Sequence, residues 1–184
     1  DKKLHISLAN KIMTAIITIE QTKIDSVVTV SKEASEIDGA VLSLEPGEKL
    51  PVLDLLYAIM LDSYNDAAMA LAEFAMGNHD DFVKLMNDKV LELDLKNTHF
   101  ENATGLYDEN QYTTAYDLAK LVRYAILNPT FNMIFAARTK IWTTSKGTEI
   151  LINKNNMFWE YDGVDGGKVG YNEADKYSVV TTAS

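Results

Sequence analysis

The chain has 184 residues, of which 47% are hydrophobic and 24% charged, so it is long enough to bury a core and too apolar to stay disordered. Its formal charge of −10 argues against a nucleic-acid partner, because phosphate binding requires clustered lysine and arginine. It has no cysteine, no apolar run of the roughly 18 to 20 residues that a membrane span requires, and no metal-ligand spacing among its three histidines, so thiolate chemistry, a membrane segment and a bound metal are not expected.

The first predicted element is an amphipathic helix over residues 7–20. Apolar side chains recur there at the spacing of one helical face, at Leu8, Ile12, Ala15, Ile16 and Ile19. Two short elements follow it. Residues 26–31 are β-branched and alternating, which is typical of a strand, and residues 42–50 contain a Pro-Gly turn within an extended segment. We interpret both as small connecting elements.

The middle of the chain is predicted to be helical. Two helical runs follow Pro51 and meet at a polar junction over residues 63–65, and Gly77 is expected to end the second run. Residues 80–95 form a further amphipathic helix, with Asp80 as its expected N-terminal cap.

The last predicted helix covers residues 114–129 and is expected to end at its Asn-Pro pair. Beyond about residue 138 the pattern is typical of strands. A hairpin is predicted over 139–152 with a turn at 145–147, and two more strands are predicted within 162–171 and 177–182. Because the helices come first and the strands late, the expected fold class is α+β.

Three polar clusters contain residues capable of chemistry: Ser7 with Lys11, Ser63 with Asn65, and Lys168 within "GGKVG". Each also has a structural interpretation. A serine at a helix start is commonly an N-cap, serine and asparagine suit a turn between helices, and a lysine between glycines suits an exposed loop. The combination of all three clusters in this order favours a functional interpretation.

This succession resembles the D-alanyl-D-alanine carboxypeptidases, the low-molecular-mass penicillin-binding family of active-site-serine peptidases. "SLANKIMTA" is similar to the second half of the family's Ser-x-x-Lys motif, and "SYNDAA", "NATGL" and "VDGGKVGY" follow in the family's order. The resemblance extends over nearly the whole chain. It implies a β-lactamase or penicillin-binding-protein-like fold, in which a helical lobe packs on an antiparallel sheet.

The resemblance also implies a mechanism. Ser7 is the candidate nucleophile, which attacks the penultimate D-alanine carbonyl to form an acyl-enzyme, and Lys11 is its base. A lysine base must be neutral, and burial near a second cation, here Lys168, lowers the pKa of such an amine. Ser63 is the implied proton relay to the leaving amine, and Asn65 is the implied contact for the substrate's amide.

The resemblance implies that the substrate's terminal carboxylate is attracted by Lys168, with Gly170 and Tyr171 in the same binding segment. The backbone N–H groups of Ser7 and Tyr171 are the implied oxyanion hole. No metal and no organic cofactor is implied. The implied partners are peptidoglycan stem peptides and β-lactams, and the implied location is extracytoplasmic, at the cell wall, although the sequence shows no signal-peptide pattern.

The sequence departs from the family pattern at two places. Alignment on Lys11 without a gap puts Leu8 where the family has its serine, whereas retaining Ser7 as the serine requires one inserted residue. Both spacings place the pair on one helical face. Val169 stands where the family has the threonine of Lys-Thr-Gly, which removes a hydroxyl that helps to bind the carboxylate.

We expect one transpeptidase-like domain over residues 1–184, helical over about 7–136 and rich in strands over about 137–184. Family members have further strands on both sides of this segment, so the sheet is expected to be incomplete within it. Unpaired sheet edges invite pairing with another chain, and a homodimer is therefore a hypothesis.

Three functions stay open. The leading one is a serine-type D-Ala-D-Ala carboxypeptidase that removes the terminal D-alanine from stem peptides. The second, motivated by Leu8 and Val169, is a catalytically impaired relative that binds cell-wall peptides or partners. The third is a β-lactamase-like hydrolase, which the matched motifs favour least.

Overall fold

The computed structural model describes residues 2–144, 147–172 and 176–184. In chain order the elements are α1 (Ser7–Gln21), β1 (Val27–Thr29), α2 (Lys32–Ser35), β2 (Lys49–Pro51), α3 (Val52–Leu61), α4 (Asn65–Met76), α5 (His79–Glu92), α6 (Ala115–Ala125), α7 (Pro129–Phe135), β3 (Thr139–Thr144), β4 (Gly147–Ile152), α8 (Met157–Glu160), β5 (Val164–Asn172) and β6 (Lys176–Ala183). Helices dominate the first part and hairpin strands the last part. The α+β class is confirmed.

Helix α1 is the central element of the core. The sequence predicts one apolar face, but the structure buries every residue from Leu8 to Thr18. The reason is that α1 is packed against α3, α4, α5, α6 and α7 and also against β5 and β6. A helix enclosed on all sides buries its polar positions too, and these include Lys11.

Two of the three helix boundaries predicted from turn or cap signals differ from expectation. Helix α5 begins at His79 and is capped by Asn78, whose Oδ1 accepts from the Asp81 N–H at 2.8 Å, so the cap predicted at Asp80 is wrong. Asp80 lies in the first turn instead, where a carboxylate interacts favourably with the helix dipole. Gly77 ends α4 in the left-handed conformation as predicted, with φ of 82°.

The predicted end of the last helix is also wrong. Helix α6 ends at Ala125, and Asn128 is the N-cap of a separate helix, α7, with Pro129 at its start. Proline tolerates the first helical turn because the N–H it lacks has no intrahelical acceptor there. The same dipeptide that reads as a stop therefore begins the next helix.

The described strands form antiparallel pairs, β1 with β2, β3 with β4, and β5 with β6. The hairpin predicted over 139–152 is confirmed, while part of its expected turn, 145–146, lies outside the described residues. The β5–β6 pair packs on α1, and the β3–β4 pair packs on α3. Helices in the described part of the chain are either too short or too polar to cross a membrane.

Candidate active site

A cavity of about 880 Å³ opens where the start of α1, the α3–α4 junction, the loop after Thr104 and strand β5 meet. Six of the seven predicted site residues line it: Ser7, Lys11, Ser63, Asn65, Gly170 and Tyr171. Lys168, the seventh, lies behind the wall formed by Ser63 and makes contact with that residue. The fold therefore brings all three predicted polar clusters to one place.

Ser7 is the first residue of α1, at the mouth of the cavity. The capping position is Ile6, which makes no side-chain cap bond, so the interpretation of Ser7 as an N-cap is wrong. Its Oγ instead donates to the Tyr171 carbonyl at 3.3 Å.

Two glycines bring backbone close to Ser7. A Cβ added at Gly105, whose φ is +77°, would lie 2.6 Å from the Ser7 carbonyl oxygen. A Cβ added at Gly170 would lie 2.9 Å from the Ser7 Oγ. Only glycine allows such an approach, so Gly105 sets the space beside the Ser7 backbone and Gly170 the space beside its hydroxyl.

Leu8, the alternative candidate for the family's serine position, lies in the core and does not line the cavity. It is 1% exposed and packs into the core, and a Cβ added at Gly170 would lie 2.8 Å from its own Cβ. Of the two residues that compete for the family's serine position, Ser7 is the one that lines the cavity.

Lys11 lies one turn along α1 and is buried. Its Nζ donates to the Asn65 Oδ1 at 2.7 Å and to the carbonyl of Thr104. Within the described residues Ser7 and Lys11 make no hydrogen bond to each other. The cavity therefore holds the predicted nucleophile and base with their polar atoms turned to different partners.

Burial lowers the pKa of Lys11 from 10.5 to about 7, against the opposing effect of the Asp66 carboxylate, which raises it. Burial also holds the pKa of Lys168 well below its usual range, with a further lowering from Lys11 and an opposing contribution from Asp62. The sequence pointed to Lys168 as the cation that neutralises Lys11. In the structure desolvation is the largest cause at both amines, and repulsion by the other amine adds a lowering only to the pKa of Lys168.

Lys168 is completely buried and makes three hydrogen bonds. Its Nζ donates to the carbonyls of Ile59 and Met60 at 2.8 and 3.2 Å, and to the Ser63 Oγ at 2.5 Å. These carbonyls belong to the last turn of α3, whose acceptors lack intrahelical partners. The lysine therefore satisfies the end of α3 and fixes the serine that follows it, a role that spacing along the chain does not predict.

Ser63 has a left-handed backbone, with φ of 62°. Such a conformation is uncommon for a residue with a Cβ and persists where the surroundings hold it. Here the holding contact is the short bond from Lys168. The hydroxyl is in this way fixed on the wall of the cavity between α3 and α4.

Both polar atoms of the Asn65 side chain bond within the protein. Its Nδ2 donates to the Asp38 carbonyl at 2.8 Å, while its Oδ1 accepts from Lys11. Its backbone N–H donates to the Ala40 carbonyl at 2.7 Å. Asn65 thus joins α1 to the segment that begins at Asp38.

Sequence reasoning missed the residues that support this frame. The buried Asp66 carboxylate accepts from the N–H groups of Leu42 and Leu44, both at 3.1 Å, and so fixes the segment that contacts Asn65. Little in the sequence indicates this role, because Asp66 appears there only as one more acidic residue at the start of a helix.

A second missed support lies under the Thr104 carbonyl. Asn10 is buried and its Nδ2 donates to the Asn102 carbonyl and to the Gln111 Oε1, each at 2.6 Å. The Asn102 Oδ1 accepts from the Gly105 N–H at 2.7 Å. This network presents the Thr104 carbonyl to Lys11 and the Gly105 backbone to Ser7.

At the rim of the cavity Lys154 forms an ion pair with Asp62, with 2.7 Å between Nζ and Oδ1. Val169 lines the cavity beside Gly170 and offers no hydroxyl. Among the described residues there is no group of three or more His, Cys, Asp or Glu side chains arranged to hold a metal ion.

The sequence matches a family profile over residues 1–184, that of the peptidase S11 family, D-alanyl-D-alanine carboxypeptidase. It is 36% identical over 197 residues to D-alanyl-D-alanine carboxypeptidase DacF of Bacillus subtilis, covering 100% of this chain and 49% of the relative. It is 37% identical over 146 residues to DacA of Escherichia coli, covering 79% of this chain and 36% of the relative. The chain thus spans about half the length of these curated relatives or less.

Solved structures show the same fold. A D-alanyl-D-alanine carboxypeptidase from Mycobacterium tuberculosis superimposes with a TM-score of 0.93 at 27% identity, over 100% of this chain and 70% of that one. The Streptomyces K15 DD-transpeptidase superimposes with a TM-score of 0.92 at 30% identity, over 100% of this chain and 77% of that one. The penicillin-binding-protein-like fold expected from the motifs is confirmed.

Proposed function

Because the chain belongs to the D-alanyl-D-alanine carboxypeptidase family, we propose that it carries the catalytic site of a serine-type carboxypeptidase that removes the terminal D-alanine from peptidoglycan stem peptides. The observation that carries this proposal is the convergence of Ser7, Lys11 and Ser63 on one cavity, with burial lowering the pKa of Lys11 to about 7. An amine with that pKa is substantially neutral at physiological pH and can accept a proton.

Acylation begins when the Ser7 Oγ attacks the carbonyl carbon of the penultimate D-alanine. The Oγ–C bond forms, and the hydroxyl proton passes to the neutral Lys11 amine, directly or through Ser63. For a direct transfer the Ser7 hydroxyl turns from the Tyr171 carbonyl toward Lys11, which lies on the same helical face at a spacing of four residues.

The developing oxyanion is stabilised by the backbone N–H groups of Ser7 and Tyr171. The proximity of these two residues, joined by the Ser7 hydroxyl, supports this assignment. Collapse of the intermediate breaks the C–N bond. Ser63 gives its hydroxyl proton to the departing D-alanine amine and takes up the proton held by Lys11, which is then neutral again. Water then hydrolyses the ester, with Lys11 as base, and restores the free serine.

Carboxylate recognition is the weakest part of the site. Lys168 is buried behind Ser63 and acts on a carboxylate through the Ser63 hydroxyl, while its lowered pKa disfavours the charge that would attract one. Val169 supplies no hydrogen bond of its own, and one to a charged group contributes roughly 1.5 to 3 kcal/mol. We therefore expect a high KM for peptide substrates that end in D-Ala-D-Ala.

A catalytically impaired relative is the second candidate, and two contacts favour it. The Ser7 hydroxyl donates to Tyr171 and not to Lys11, and the Asn65 side chain already bonds Lys11 and the Asp38 carbonyl within the protein. Such a protein would bind cell-wall peptides without turnover. A β-lactamase-like hydrolase is the third candidate and differs from the first in rapid hydrolysis of a penicilloyl ester.

The test is labelling with a fluorescent penicillin, read by intact mass, together with D-alanine release from diacetyl-lysyl-D-Ala-D-Ala. Wild type is expected to form one stable adduct and to release D-alanine, and Ser7→Ala is expected to do neither. Ser35→Ala, which removes a hydroxyl that donates to the Lys32 carbonyl away from the cavity, is the control. Labelling that persists in Ser7→Ala would contradict the assignment, and a folded, unlabelled wild type would favour the impaired relative.

We also propose that residues 1–184 act as one domain at the outer face of the cell, where the peptidoglycan substrate lies. A continuous core that includes α1 together with Trp142 of β3 and Leu151 of β4 supports the single domain. Homodimer formation through sheet edges stays a prediction, which a monomer in sedimentation at high concentration would contradict.

A further inference from the structure

Three exposed tyrosines line the same cavity as Ser7. Tyr107 is 59% exposed, Tyr171 52% and Tyr177 78%. They come from separate places in the chain, the loop after Gly105 for the first and the two strands of one hairpin for the others. The packing of the hairpin and of the loop does not require three large rings to lie exposed around one cavity.

The rings are already ordered in pairs. Tyr171 and Tyr177 are direct partners across β5 and β6, with ring centroids 4.9 Å apart. Tyr107 packs on His5 with centroids 5.0 Å apart. Paired rings lose little further conformational freedom when a ligand arrives, so a surface of this kind is prepared for binding.

The two pairs flank Ser7. Tyr107 is two residues beyond Gly105, whose backbone meets the Ser7 carbonyl, and Tyr171 follows Gly170, whose backbone meets the Ser7 side chain. A ligand that reaches the Ser7 hydroxyl therefore lies between the loop that carries Tyr107 and the hairpin that carries Tyr171 and Tyr177.

Strand β5 gives the direction along which the ligand lies. A strand advances about 3.3 Å per residue, so Tyr171 is about 10 Å along β5 from Lys168. Under the proposed function, on which this step rests, the terminal carboxylate is at the Lys168 end and the scissile carbonyl is at Ser7. The part of the substrate on the acyl side of the scissile bond then extends toward the tyrosines.

We infer that Tyr107, Tyr171 and Tyr177 form an acyl-side specificity pocket that binds an apolar group, a ring or an alkyl chain, attached to the penultimate D-alanine. The charged groups of the cavity fit this assignment, because Lys154 is paired with Asp62 and the three tyrosines that line the cavity are exposed and uncharged. An apolar group of that kind is recognised by contact with the rings and by removal of their faces from water.

The experiment measures equilibrium binding, so that it does not depend on turnover. The ligands are N-phenylacetyl-D-Ala-D-Ala and N-acetyl-D-Ala-D-Ala, which share every group except the ring, titrated by NMR into Ser7→Ala. The ratio of their dissociation constants is expected to favour the phenylacetyl ligand by about tenfold. Adding Tyr107→Ala or Tyr177→Ala is expected to lower that ratio by about 3- to 10-fold.

Tyr107→Phe, which keeps the ring, is expected to retain the ratio. Tyr116→Ala is the matched control, because Tyr116 is also exposed, at 64%, but belongs to α6 and does not line the cavity. Equal affinities for the two ligands, absence of binding by both, or a ratio unchanged by both alanine variants would overturn the inference. Failure of the proposed function appears separately, as wild-type protein that releases no D-alanine from either ligand.

Discussion

Replacing Lys11 by methionine tests the chemistry of the site without requiring activity. The pKa of Lys11 falls from 10.5 to about 7 because of burial. At about 1.4 kcal/mol for each pH unit, this corresponds to about 5 kcal/mol by which the folded protein disfavours the charged amine relative to the unfolded chain. Methionine has a similar length and no charge, so Lys11→Met removes this penalty.

The way in which the free energy of unfolding changes with pH follows from the number of protons that the folded and unfolded states bind. Between pH 7 and 10.5 the unfolded chain holds the Lys11 proton and the folded protein has released it. The free energy of unfolding of the wild type therefore rises with pH across this window, by about 1.4 kcal/mol per pH unit from this residue. Lys11→Met lacks that contribution, so its stability advantage is largest below about pH 7 and shrinks as the pH rises.

Urea unfolding at a series of pH values between about 7 and 9 measures this slope. The bonds lost at the Asn65 and Thr104 acceptors lower the stability of Lys11→Met by an amount that does not vary with pH, so the slope is the readout. Lys84→Met is the control, because that exposed lysine bonds Asp88, which raises its pKa out of the window. Parallel curves for wild type and Lys11→Met would refute the assignment of a neutral Lys11.

Three further outcomes are expected. Acylation by penicillin should rise about tenfold per pH unit below pH 7 and level off above it, because the base is neutral Lys11; a rate independent of pH from 5 to 8 would exclude that role. Val169→Thr should raise kcat/KM for D-alanine release by about 10- to 100-fold by restoring a hydroxyl to the carboxylate site, and an unchanged steady-state value would contradict it. Gly105→Ala should lower stability by about 2 kcal/mol or more and slow acylation, since its φ is +77° and its Cβ would meet the Ser7 carbonyl. Gly47→Ala, with φ of +82° and open space, isolates the backbone cost, and equal urea midpoints for the two variants would refute the steric argument.

Local patterns predicted most of the helices and hairpins. The alternating segment of β3 and β4 and the left-handed Gly77 follow from interactions between near neighbours, which a sequence displays directly. The cap at Asn78 was missed because several adjacent polar residues satisfy the same rule. The helix begun by Pro129 was missed because an Asn-Pro pair is also typical of a helix end. The burial of α1 on all sides was missed because it depends on which elements surround the helix, not on the helix itself.

In the site too, sequence motifs predicted the residues but not their long-range contacts. Ser7, Lys11, Ser63 and Lys168 were named from their motifs, but their contacts join residues 54 to 164 positions apart. Helical spacing placed Lys11 below Ser7, yet it could not show that Thr104 and Asn65 would take the bonds of the amine. Those partners arrive from other elements and become apparent only when the core is assembled.

The enclosure of α1 has a consequence for how the protein moves. Amide hydrogens of a helix packed between other helices and a strand pair exchange with solvent only through the largest openings of the molecule, so α1 should be the slowest-exchanging segment. Ser7 stands at the end of that protected segment, while Tyr107 and the Asp38 region belong to loops that can open at lower free energy. Substrate entry would then be timed by the loops, while the buried run from Leu8 to Thr18, which positions the proposed nucleophile Ser7, would open last.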